Sequence, residues 1–188
     1  MPVVHVIAAH VRLDADTGAL EDAARAAQGL STAPGVEAAV VGRSPKHLIA
    51  AVWLPDAASL EPFAASEPHM TFVMRGLAPV IVGMWSASIT SDRPAPAAQP
   101  AALWAFSISE AEGIFEWQVQ RALDTIGGLP GEAWLGPTIE ERERVRAGGV
   151  ALLSSEEVDA FRSRADALVG GEIAIEVAFA ATVASDLS

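Results

Sequence analysis

The sequence predicts an α+β protein: two tandem ferredoxin-like βαββαβ units that close on each other as one pseudo-symmetric α/β barrel. Three observations predict it. Over residues 3–89 the apolar positions change period in the order strand, helix, strand, strand, helix, strand. Residues 91–100 are rich in proline and alanine without hydrophobic pattern, as a linker is. From Ala101 the same order starts again. The expected organisation is a first repeat over 1–90, the linker over 91–100 and a second, degenerate repeat over 101–188. Each unit leaves one sheet face bare, and packing the two faces together buries both, so a cavity between the sheets is expected.

Val3 to Leu13 alternates loosely and is rich in valine and isoleucine, so it reads as a strand with His5 and His10 on opposite faces. Asp14 or Asp16 caps a helix reaching about Gly29, whose buried stripe is Leu20, Ala23, Ala24 and Ala27. Pro34-Gly35 marks a turn, and Val36–Gly42 with His47–Leu54 form a hairpin. Helical patterns over 56–65 and 66–77 precede a strand from Val80 to Ile89.

In the second half, Ala101 to Ile108 is a strand. A capping box at Ser109-Glu110-Ala111-Glu112 opens a helix with Phe115, Val119, Ala122, Leu123 and Ile126 inward. Pro130-Gly131 echoes the earlier turn, and a hairpin of Glu132–Ile139 and Val145–Leu153 follows around a charged run. Ser154 and Glu157 box a helix carrying Val158, Phe161, Ala165 and Leu168, and 172–184 supply the last strand. Val52 and Val150, like Phe63 and Phe161, stand 98 apart, whereas the segment from Ser66 to Leu77 has no counterpart.

Composition narrows the function. A formal net charge of −12 opposes nucleic acid and anionic membrane surfaces, and an aromatic or apolar small molecule is the better-matched partner. With no cysteine, disulfides, thiolate metal sites and cysteine nucleophiles are excluded. The amino terminus lacks a basic lead-in and a long apolar run, so a cytoplasmic protein is expected. No nucleotide or serine-hydrolase motif occurs, and the four histidines show no metal-ligand spacing, so neither cofactor nor metal is expected. An exposed sheet edge or helix face leaves room for a homodimer of such barrels.

The stretch from Leu48 to Ile81 combines a strand ending in Trp53, an acidic turn at Asp56, Leu60, then Ser66, His69 and Leu77-Ala78-Pro79. On these residues, residues 3–89 resemble the antibiotic-biosynthesis monooxygenase family of dimeric α/β barrels; for 101–188 the likeness is one of layout. The resemblance implies a fused pair of units. It also implies either cofactor-free oxidation of an aromatic, polyketide-type molecule, or the haem binding and degradation of some relatives. Family members hold substrate oxygens with asparagine and tyrosine, and this chain has neither. A non-catalytic ligand-binding or structural barrel is therefore the alternative of a different class.

Carried over, His69 is the candidate base and Trp53 the candidate catalytic wall. His69 follows a Ser66 cap in a helical first turn, where the dipole favours the neutral imidazole that can take a phenolic proton. It also reads as a locally bonded helix-start histidine. By period two, Trp53 shares a face with His47, Ile49 and Ala51; that face lines a cavity or packs as core. Trp85 and Trp104 have small neighbours that suit the shaping of a hollow, and Phe72 can close one end of it. With His47 they form the candidate substrate-binding set, and each also reads as core packing.

Overall fold

The computed structural model describes residues 1–109, 116–139, 145–169 and 175–182. Strands β1 (Val3–Val11), β2 (Ala38–Arg43), β3 (His47–Leu54) and β4 (Ile81–Thr90) are followed by β5 (Ala102–Ser109), β6 (Glu132–Pro137), β7 (Val145–Leu153) and β8 (Ile175–Thr182). They form one antiparallel sheet in the order β4-β1-β3-β2-β8-β5-β7-β6. The ends meet through the Ile89–Thr138 bridge and the Ile139 N–H donating to Ser88 O at 2.8 Å. The α/β barrel is thus built within one chain, as its pattern predicts.

Helix α1 (Thr17–Gln28) is capped by Asp16, whose carboxylate accepts from the Ala19 N–H at 3.1 Å, and it buries Ala23, Ala24 and Ala27. Short helices α2 (Leu60–Ala64) and α3 (Glu67–Thr71) follow β3, and α3 runs on as a π-helical turn over Phe72–Leu77. Helices α4 (Glu116–Gly127) and α5 (Val158–Val169) serve the second half. The capping box at 109–112 beyond Ser109, Phe115, the charged run over 140–144 and the side chains of Ala165 and Leu168 lie outside the described residues. Both Pro-Gly turns place their glycine in the left-handed region, Gly35 at φ 77° and Gly131 at φ 99°. Among the described residues only these two have positive φ, which explains why glycine stands at the same point of each repeat.

The strands are apolar on both faces because both are covered. Val4, Val6, Ala8, Ile49, Ala51 and Trp53 point into the barrel, where they meet Leu103, Ala105, Trp134 and Val150. Val3, Ile7, Leu48, Val52 and Leu54 point outward onto α1, Phe63 and Phe72. The two halves approach closely: a Cβ on Gly42 of β2 would lie 2.8 Å from Leu103 Cδ1 of β5.

The copies stay in register to within a couple of residues, and the expected place of the cavity is corrected. The repeat offset along the strands is 99, since Val3 opposes Leu54 as Ala102 opposes Leu153. Val52 therefore matches Ala151, and Val150 faces the barrel instead. The face between the sheets carries a buried cluster that includes Trp53, Trp85 and Trp134, whereas the cavity beside His69 lies on the other face of the first-half sheet.

Candidate functional site

That cavity, of about 190 Å³, lies between the outer face of the first-half sheet and the helices α2 and α3. Its floor is His5, Ile7, Met84 and Ser86 from β1 and β4; its roof is Leu60, Phe63, Ala64, His69 and Val73. Strand pairing builds the floor, because Ile7 opposes Ser86 and His5 opposes Ser88. The break between α2 and α3 builds the roof. Ser66 caps α3 by accepting the His69 N–H at 3.4 Å while donating to Phe63 O at 2.6 Å. Ser66→Ala is expected to cost about 1 kcal/mol of stability, read as a lower urea midpoint with unchanged slope.

The His69 imidazole is half-buried, and its Nδ1 lies 2.9 Å from Ala64 O. A carbonyl oxygen only accepts, so Nδ1 carries the hydrogen and Nε2 keeps its lone pair. Burial lowers the His69 pKa from its ordinary value of 6.5, opposed in part by the Ala64 carbonyl, which favours the charged form. His5 is part-buried, with Nδ1 at 2.8 Å from Ser88 Oγ. Burial first, and the charge on His69 second, lower its pKa to about 4. The two imidazoles stand 6.3 Å apart, and the Phe63 ring lies 5.7 Å from His5 and 4.9 Å from His69. At neutral pH the cavity presents two uncharged imidazoles and a serine within an apolar lining.

Of the candidate catalytic and substrate-binding residues chosen from sequence, His69 alone borders this cavity. Trp53 is placed on the opposite face of the sheet, wholly buried, 5.2 Å from Trp134 and with no hydrogen-bond partner for its Nε1. Its expected place as a wall beside His69 is therefore corrected. Trp85 packs on that same inner face, and its Nε1 is also without a partner. Phe72 is buried in the outer core of the first half. Trp104 lies in the outer core of the second half, 5.0 Å from Phe161. His47 sits at the start of β3, its ring 5.2 Å from His10 and its Nδ1 3.4 Å from Phe179 O.

The strand pattern separates His5 from His10, but it does not say which face holds a cavity. A readable signal for the floor did exist: Ser86 and Ser88 stand two apart within a largely apolar strand, on the side where β1 offers His5. Among the described residues no cluster of three metal-ligating side chains occurs.

Three solved structures are similar over nearly the whole chain. One, from Lactobacillus acidophilus NCFM and provisionally assigned as a monooxygenase, is 10% identical, with 97% of this chain and 93% of that chain matched at TM-score 0.54. A second, provisionally assigned as a monooxygenase from Fusobacterium nucleatum subsp. nucleatum, is 15% identical over 97% and 93%, also at TM-score 0.54. A third, provisionally assigned as a chlorite dismutase, is 10% identical over 98% and 96% at TM-score 0.59. At such identities the likeness shows the fold, one barrel from one chain of this length. No family model and no curated protein matches the sequence. Among the described residues no helix is long and apolar enough to cross a membrane.

Proposed function

We propose that the protein is a cofactor-independent monooxygenase acting on a small phenol, with His69 as the general base. The observation that carries this reading is the committed Nδ1–H of His69, which reserves Nε2 as the proton acceptor at an apolar cavity. Taking the phenolic proton makes the ring electron-rich enough to react with O2. One oxygen atom becomes the new quinone carbonyl, and the other leaves as water with the phenolic hydrogen and the displaced ring hydrogen. The provisional assignments of two similar structures as monooxygenases agree with this reading.

The volume limits the substrate. Pockets for drug-sized ligands span about 300–1,000 Å³, so 190 Å³ suits a small phenol better than a polycyclic one. A haem macrocycle does not fit the same space, and His69 stands without the asparagine that haem-degrading relatives use. Trp53, across the sheet, takes no part in this scheme.

A binder without turnover is the second reading, favoured by the placement of Trp53 away from His69. An oxygen electrode separates the two. With phenol or a substituted phenol added, the wild-type protein is expected to take up one O2 for each quinone seen by absorbance; saturable binding with no oxygen uptake would reject turnover and leave the binder.

A further inference from the structure

The two halves carry the same arrangement with one substitution that measures the ligand. At the strand offset of 99, His5 corresponds to Trp104 and Ile7 to Phe106. On the neighbouring strand, Ser88 opposes His5 as Phe179 opposes Trp104, and Ser86 opposes Ile7 as Val177 opposes Phe106. Above them, Phe63 meets His5 edge-on at 5.7 Å and 64°, and Phe161 meets Trp104 edge-on at 5.0 Å and 66°. The first half thus has imidazole, two serines and open space where the second has indole, phenylalanine and valine. Trp104, Phe106 and Phe161 are all buried there, with the Trp104 ring centroid 5.1 Å from that of Phe106 and 5.0 Å from that of Phe161.

An indole exceeds an imidazole by one fused six-membered ring. We propose that the first-half cavity takes a single six-membered aromatic ring, lying edge-on to Phe63 where the benzo ring of an indole at position 5 would lie, as that of Trp104 lies against Phe161. The cavity volume agrees, since an apolar cavity of about 150 Å³ holds benzene and this one has about 190 Å³. Edge-to-face geometry is the preferred approach of two aromatic rings, so Phe63 selects a flat ligand over an aliphatic one of equal volume. Ser86 and His5, which line the cavity, then face the ring substituents. In this arrangement Trp104 acts as a built-in occupant of the second-half position, and each chain has one working site of this kind.

The inference rests on the cavity beside His69 being the ligand site, and it is tested by anaerobic calorimetric titration with phenol, 1-naphthol and anthrone. Wild type is expected to bind one phenol per chain, with the larger molecules at least about tenfold weaker because a further ring must displace a packed wall. His5→Trp is expected to lose phenol binding, and Trp104→Ala, checked for folding by circular dichroism, to take up a second phenol per chain. Equal or tighter binding of 1-naphthol or anthrone overturns the inference, as does phenol binding retained in His5→Trp or a folded Trp104→Ala that still takes one phenol. Failure of the monooxygenase reading looks different: phenol binds in the expected order, and oxygen is not consumed when it is supplied.

Discussion

His69→Ala is expected to lower kcat with a phenolic substrate by about 10²–10⁴-fold, the usual contribution of a positioned general base. Phenol affinity should change little, because the apolar lining of Phe63, Ile7, Leu60 and Val73 remains. The variant should also fold. The ring's assigned hydrogen bond is local, to Ala64 O five residues earlier, and the α3 cap uses the His69 backbone N–H, which alanine keeps. The acid limb of the wild-type kcat/KM profile gives a second readout. Proton abstraction needs neutral imidazole, and burial lowers the His69 pKa from 6.5. The rate should therefore rise with pH around a midpoint below 6.5 and be flat by neutrality, and this limb should vanish in His69→Ala. Unaltered kcat in the variant would remove His69 from the mechanism.

Much of the barrel was legible because periodicity and turn chemistry act locally. The βαββαβ order follows from apolar spacing, and Pro34-Gly35 and Pro130-Gly131 mark equivalent turns whose glycines adopt positive φ. Which face of the sheet would hold a cavity was not legible. A strand such as β3, buried at every position from Leu48 to Leu54, is apolar toward the barrel and toward the helices alike. Period two separates Trp53 from Val52 but assigns neither to an environment, so Trp53 was joined to His69 only through family likeness. His5 illustrates the converse: a histidine between Val4 and Val6 in a buried strand needs a hydrogen-bond partner, and Ser88 on β4 supplies it. That pairing depends on the register between β1 and β4, which are 83 residues apart at this point and share no local signal.

The His5–Ser88 pair carries the second large effect, on stability against pH. In the folded protein His5 takes up a proton only at about pH 4, whereas in the unfolded chain it does so near 6.5. Between these values the unfolded chain binds a proton that the folded one refuses, so stability is complete above about pH 6.5 and is lost as pH falls toward 4. The difference corresponds to about 3 kcal/mol, a large part of the 5–15 kcal/mol that holds a typical domain folded. His69, whose pKa is also lowered by burial, acts in the same direction. His5→Phe removes the titrating group while keeping a planar ring in the site, at the cost of leaving Ser88 Oγ without the His5 bond. The variant is expected to be somewhat less stable than wild type at pH 7.5 and to lose roughly 2–3 kcal/mol less on transfer to pH 4.5. Urea unfolding at the two pH values, with both proteins in the same buffers, isolates this term from the carboxylates they share; parallel losses would mean that His5 is not held neutral by burial.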